Sequence, residues 1–268
     1  MNSLLVFLSL TSLFLLAQAT DTLTPGQALN DGNTLVSANE VFELGFFSPE
    51  PSTSRYIGIW YRNFSTNTAL WVANRESPVP DRSGSLRISA DGNLVLVDST
   101  QKVMWSSNVS SLTSNQTIVK LADSGNLQLK NSVGVVWQSF DNPTDTYLTG
   151  MQVGLDMKTN VNQLFTSWKS SIDPAVGNYS MGIDPDRSTQ IFVWDGAKPR
   201  WRSGRWNSQV FSGTQGMVPM YTYGFKLSNF QLEGKMYFYY SSFNASQRYI
   251  LTWDGILKHL IWRDDTQV

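Results

Sequence analysis

Leu86-Arg-Ile-Ser-Ala-Asp91-Gly92-Asn93-Leu94-Val95-Leu96 recurs downstream, in weaker form, as Leu121-Ala-Asp123-Ser-Gly125-Asn126-Leu127-Gln128-Leu129. The first copy runs on to Trp105-Ser106-Ser107 and the second to Trp137-Gln138-Ser139, so turn, strand and tryptophan repeat as one unit. A single unit of this kind cannot bury its own apolar face. Several packed about an axis can, and the polar residues left outward at equivalent places become candidate binding positions.

The rest of the chain carries the same period of two. Leu94–Val97, Val135–Trp137, Gln190–Trp194, Lys235–Tyr240 and Arg248–Trp253 are short runs rich in β-branched or aromatic residues. Between such runs stand Asp31-Gly32, Asp91-Gly92, Ser124-Gly125, Asp195-Gly196 and Asp254-Gly255, residue types that tolerate the backbone angles of tight hairpins. No sustained helical period appears after the first residues, and the sequence predicts an all-β protein. Trp60, Trp71, Trp105 and Trp137 punctuate the first half as core candidates. The turn-rich Asp141–Gly150 breaks the strand rhythm, which places a domain boundary near residue 150. Beyond it Trp168, Trp194, Trp201, Trp206 and Trp253 mark a second aromatic-rich β region without a clear internal period.

The opening Met1–Ala19 is an apolar stretch of signal-peptide length, broken by Ser and Thr and closing on a small-x-small site, although it has no Lys or Arg at its start. Cleavage after Ala19 predicts secretion, with no further membrane segment in the mature chain. Asn-x-Ser/Thr acceptors at Asn63, Asn108, Asn115, Asn178 and Asn244 fit that compartment and are expected on solvent-facing positions, while Pro143 disqualifies Asn142. With 20 basic against 21 acidic residues and no run of like charge, no nucleic-acid surface or polybasic membrane patch is indicated. The chain has no cysteine, and at 268 residues it is long enough to build its core without disulfides.

Enzyme chemistry finds little here. Without cysteine there is no thiol nucleophile and no His/Cys metal cluster, and the one histidine, His259, lies in an alternating run with no nucleophile elbow in the sequence. Glu40, Glu43, Asp184 and Asp186 carry no signature of an opposed carboxylate pair, and Asp184-Pro-Asp186 reads as a turn. The expectation is a non-catalytic protein with no cofactor and no metal. Lys198-Pro-Arg200-Trp201-Arg202-Ser-Gly-Arg205-Trp206 interleaves cations with tryptophans. Arg200, Trp201, Arg202, Arg205 and Trp206 are therefore candidates for a protein interface, beside the loop from Gly213 to Tyr223; an ordinary aromatic core with charged ends is the alternative.

Asp91-Gly92-Asn93-Leu94-Val95-Leu96 with Trp105-Ser-Ser-Asn108, preceded by Phe42-Glu-Leu-Gly45-Phe46-Phe47, Tyr56-Ile-Gly58-Ile59-Trp60-Tyr61 and Trp71-Val-Ala-Asn74-Arg75, resembles the bulb-type mannose-lectin domain of plants. Trp137-Gln-Ser-Phe-Asp141-Asn-Pro143, Ser167-Trp168-Lys-Ser, Gly177-Asn178-Tyr179 and Trp201-Arg-Ser203-Gly204-Arg205-Trp206-Asn207 are similar to S-locus glycoproteins and to the extracellular part of S-domain receptor-like serine/threonine kinases. The resemblance implies a signal peptide over 1–19, a β-prism II lectin domain over 20–150 and an S-locus glycoprotein-like β domain over 151–268, cut before the family's EGF and PAN regions. It implies a secreted or cell-surface recognition module that perceives pollen or another extracellular ligand. The partner is a peptide, a protein or a glycan, and receptor pairing or a homodimer is a further expectation. A secreted mannose-binding lectin and an inactive truncated product are the alternatives.

The lectin family's sugar motif is Gln-x-Asp-x-Asn-x-Val-x-Tyr, whose alternate residues share one strand face. Here the frame falls on Ser89, Asp91, Asn93, Val95 and Val97, so Asp91, Asn93 and Val95 are the candidate carbohydrate-binding residues. Ser89 is too short to replace Gln, and Val97 lacks the phenol. The same Asp-Gly-Asn also reads as a hairpin turn with no ligand role.

Overall fold

The computed structural model describes residues 20–64, 68–110, 116–186, 188–214, 224–230, 234–242 and 247–261. The expected signal peptide, Asn115, Asn244 and most of the Gly213–Tyr223 loop lie outside them. The described chain is built from short antiparallel strands, as the period of two requires. In the first half these are β1 (Thr22–Leu23), β2 (Ala28–Asn30), β3 (Thr34–Val36), β4 (Phe42–Phe47), β5 (Tyr56–Tyr61), β6 (Trp71–Val72), β7 (Ser85–Ile88), β8 (Leu94–Val97), β9 (Val103–Ser106), β10 (Ile118–Leu121), β11 (Leu127–Asn131) and β12 (Gly134–Gln138). They form 4-stranded sheets in the orders β3-β4-β5-β6, β2-β7-β8-β9 and β1-β10-β11-β12. The chain therefore deals one opening strand to each sheet and returns to fill the sheets in reverse order.

The three sheets are related residue by residue. Leu44 faces Ile59 and Ile59 faces Trp71; Leu86 faces Leu96 and Leu96 faces Trp105; Val119 faces Leu129 and Leu129 faces Trp137. The aliphatic members of these rows are fully buried. Directly after Leu96 and again after Leu129 the register slips. A bulge of this sort strengthens the local twist. Each row ends on a tryptophan, and the three indoles meet edge to face, with ring centroids 6.0 Å apart for Trp71 and Trp105, 5.9 Å for Trp71 and Trp137 and 5.5 Å for Trp105 and Trp137. Edge-to-face pairs contribute about 0.5–1.5 kcal/mol each beyond their buried area, so the triangle ties the sheets together at one end. Trp60 is buried, as expected of a core tryptophan, but stands apart from the triangle and donates its indole N–H to Glu43 at 3.0 Å.

The second half follows the same plan. Its strands are β13 (Thr146–Leu148), β14 (Gln152–Asp156), β15 (Val161–Asn162), β16 (Phe165–Ser170), β17 (Asp173–Ile183), β18 (Ile191–Asp195), β19 (Lys198–Arg202), β20 (Gly224–Phe230), β21 (Lys235–Ser241), β22 (Gln247–Leu251) and β23 (Leu257–Ile261). The sheet orders are β16-β17-β18-β19, β15-β14-β21-β20 and β13-β22-β23. Again β13, β14 and β16 go to separate sheets, and the later strands return in reverse. What differs is the filling. Tyr147, Phe165 and Phe238 are buried at its centre, with Tyr147 5.3 Å from Phe165 and 5.4 Å from Phe238. Two tryptophans of this half lie outside, Trp201 being 39% and Trp253 50% exposed, while Trp206 packs against the core from its edge.

Candidate functional site

The sugar frame runs from the turn between β7 and β8 into β8 itself. Ser89 donates its hydroxyl to the Asp91 carboxylate, Asn93 donates its backbone N–H to the same oxygen at 3.1 Å, and Asn93 Nδ2 donates to the other at 3.0 Å. These donors hold the Asp91 carboxyl below the usual carboxylate range, the Ser89 hydroxyl contributing most. Asn93 is buried. Its Oδ1 accepts from Ser107 Oγ at 2.9 Å and from the Val109 N–H at 2.7 Å, and its Nδ2 also donates to the Val109 carbonyl at 3.0 Å. Val95 is buried as well. Asp91 alone of the three faces solvent, and its oxygens already serve the turn.

The same device recurs where no sugar motif exists. In the turn between β22 and β23, Thr252 Oγ1 donates to Asp254 at 2.5 Å and accepts from the Ile256 N–H at 3.2 Å, around Gly255 at φ +81. The backbone closure is also shared: Gly92 N–H bonds the Ser89 carbonyl, Gly125 N–H that of Ala122 and Gly255 N–H that of Thr252, each at 2.9 Å. A hydroxyl, a carboxylate and a left-handed glycine make a self-sufficient hairpin.

The two halves are joined by polar residues that sequence reasoning did not single out. Arg75, buried, donates to the Pro174 carbonyl at 2.5 Å, the Thr166 hydroxyl at 2.7 Å, the Thr166 carbonyl at 3.1 Å and the Ser167 carbonyl at 2.7 Å. Burial lowers its pKa. Glu76 accepts from the Val176 N–H at 2.6 Å, and Trp71 donates its indole N–H to the Asn142 carbonyl at 2.8 Å. Asp145, fully enclosed, has its pKa raised to about 6 by burial, against the opposing charge of Arg75 and the hydroxyls of Thr144 and Thr146. Arg248 lies over the Tyr61 ring at 5.5 Å, and burial depresses its pKa too. An open cleft of about 630 Å³ runs along this junction, between the tryptophan triangle and the start of the second half.

The basic and aromatic candidates separate in space. Arg200, Trp201 and Arg202 lie on β19, an edge strand whose five residues are all exposed. Arg200 stacks over the Tyr179 ring at 5.0 Å and donates to its hydroxyl at 2.9 Å. Arg205 is exposed, whereas Trp206 turns inward onto Phe211, 4.9 Å between ring centroids. Between β19 and β23 a groove of about 520 Å³ is lined by Arg200, Trp201, Tyr249, Ile256 and His259. His259 stacks on Tyr249 at 4.3 Å, and partial burial lowers its pKa. Asn63, Asn108 and Asn178 are exposed.

A family described as D-mannose binding lectin matches residues 68–169, and the S-locus glycoprotein domain matches residues 201–268. Two G-type lectin S-receptor-like serine/threonine-protein kinases of Arabidopsis thaliana are similar across nearly all of the chain. One is 42% identical over 98% of it, and the other, B120, is 43% identical over 97%. The chain belongs to the G-type lectin S-domain family. It covers 32% of each of those two relatives, so this S-domain chain spans about a third of their length. Among solved structures it is similar to the mannose-specific agglutinin of snowdrop (Galanthus nivalis) bulbs, with 20% identity, 42% of this chain and 90% of that one covered, and a TM-score of 0.33. The two-domain fetuin-binding agglutinin of Scilla campanulata is 13% identical, covers 87% of this chain with 94% of its own, and gives a TM-score of 0.31. Among the described residues no helix is long and apolar enough to cross a membrane.

Proposed function

We propose that this chain is a secreted or cell-surface recognition module. It perceives an extracellular peptide or protein on its β surface, in pollen recognition or another signalling role, and does no catalysis itself. The observation that carries this reading is the fate of the sugar frame. Asn93 spends its amide on Ser107 and Val109, Asp91 spends both oxygens on Ser89 and Asn93, and Val95 is buried. A shallow sugar site works through a few convergent polar groups, each worth on the order of 1 kcal/mol net. Here those groups are engaged before any ligand arrives. Exposed edge strand β19, with Arg200, Trp201 and Arg202, supports a protein-facing surface, because Arg and Trp anchor interfaces and an open edge can pair with an extended segment. The partition into a lectin unit over 20–150 and an S-locus unit over 151–268 belongs to the same reading.

Mannose-agarose retention and a glycan array, run on the secreted chain beside Asp91→Ala and Asp254→Ala, test it. The folded wild type is expected to pass through unretained, and the two substitutions to cost similar stability. Mannose-dependent retention lost in Asp91→Ala but kept in Asp254→Ala would instead establish the lectin reading, because only the first aspartate lies in the sugar frame.

A further inference from the structure

Asn108 sits on a wall of the junction cleft. It is held there more firmly than a loop residue needs to be. Its predecessor Ser107 is tied to β8 in both directions: the Ser107 N–H donates to the Leu94 carbonyl at 2.9 Å, and Ser107 Oγ accepts from the Leu94 N–H at 3.1 Å. Its successor Val109 is gripped at both backbone groups by the side-chain amide of Asn93. Between these clamps Asn108 takes φ +52, a left-handed conformation that Asn tolerates better than most residues, and its own side chain is exposed. The polar group of the old sugar frame thus fixes the Asn108-Val109-Ser110 acceptor. The cleft beside it is also lined by half-buried Trp105, Trp137 and Met104 and by Asn142, Thr144 and Val176.

We infer that the N-linked glycan of Asn108 folds back into this cleft, its first sugars packing against Trp105 and Trp137 and bridging the lectin unit to the S-locus unit as an intramolecular buttress. The chemistry fits on both sides. A pyranose has an apolar C–H face that lies flat on an indole, and its hydroxyls and acetamide can bond exposed polar groups of the lining such as Asn142. Covalent attachment at the rim supplies a high effective concentration, so weak contacts suffice. Asn63 and Asn178 are exposed too, but neither lines this cleft. The inference rests on the extracellular reading above, since a glycan is added only on that route.

The experiment is expression of the full chain in a glycosylating host as wild type, Ser110→Ala and Asn63→Gln, with site occupancy read by mass spectrometry. Ser110→Ala removes the Asn108 glycan while keeping Asn108 in its left-handed turn. The expected result is occupancy at Asn108, a melting temperature lower by roughly 2–4 °C in Ser110→Ala, and no change in Asn63→Gln. Native enzymatic release of the Asn108 glycan should run about tenfold slower than release at Asn63, as for a group that must first open from the surface. Wild type and Ser110→Ala made in bacteria should melt together, separating the glycan from the side chain. Occupied Asn63 and Asn178 with an empty Asn108, or an occupied Asn108 with equal melting and equal release rates, overturns the inference. Empty acceptors at all three overturn the extracellular reading itself.

Discussion

Asp145 is a carboxylate whose chemistry is set by its burial. Arg75 spends its donors on the carbonyls and hydroxyl of Thr166, Ser167 and Pro174, so its charge reaches Asp145 through space and only partly offsets the cost of burying a carboxylate. The pKa is raised from 3.8 to about 6. A folded-state value above the unfolded one means that the native chain binds the extra proton. The stability this contributes is complete below about pH 4 and is lost as pH rises through 6. A shift of this size corresponds to on the order of 3 kcal/mol across that window. Asp145→Asn, neutral throughout, should flatten the fall in melting temperature between pH 4 and 7 and match or exceed the wild type at pH 7. A melting curve for the variant that keeps the wild-type pH slope would show that another group carries it.

At the scale of elements, the hairpins were readable and the reasons are local. Gly92, Gly125 and Gly255 announce left-handed turns, and the structure puts them at φ +87, +82 and +81. Glycine is needed there for more than φ: a Cβ on Gly125 would come 2.7 Å from the Phe42 ring, whereas one on Gly32, at φ +97, would meet nothing within 4 Å. Gly32→Ala should therefore cost about 1 kcal/mol for backbone strain alone. Gly125→Ala should cost a further 1–3 kcal/mol for displacing a buried ring, a difference that urea midpoints resolve. The strands Leu94–Val97 and Lys235–Ser241 were legible from alternation, and the tryptophan ends of the first-half rows from their spacing. The plan of the second half was not, because Tyr147, Phe165 and Phe238 fill its centre while Trp201 and Trp253 face solvent. Wiring is conserved between the halves by backbone pairing, which leaves no side-chain period to read. Arg75 was hidden for a related reason: most of its acceptors are main-chain carbonyls, and any residue can supply those.

Across the whole molecule, the junction decides whether the two halves behave as one body. One apolar cluster runs from Leu23 to Leu251 without interruption. Over it lie bonds of high sequence separation: Arg75 to Thr166, Ser167 and Pro174, Glu76 to Val176, Trp71 to Asn142, and Arg248 on Tyr61. Two halves that present surfaces in fixed relation need such a joint, because domain interfaces that are small and polar allow motion by default. Unfolding of the chain should then be a single transition, with tryptophan fluorescence, which reports mostly the triangle and the outer indoles, coinciding with far-UV circular dichroism. Arg75→Met keeps the apolar stem but removes the donors from buried carbonyls, a change that costs about 1–3 kcal/mol for each acceptor left unpaired. That loss falls on the contact between the halves and spares the core of each. The variant is therefore expected to unfold in two steps, the fluorescence and dichroism curves separating in urea. A variant that merely shifts to a lower midpoint with the curves still superposed would place the coupling in the shared apolar cluster, and Arg75 would then be one stabilising contact among many.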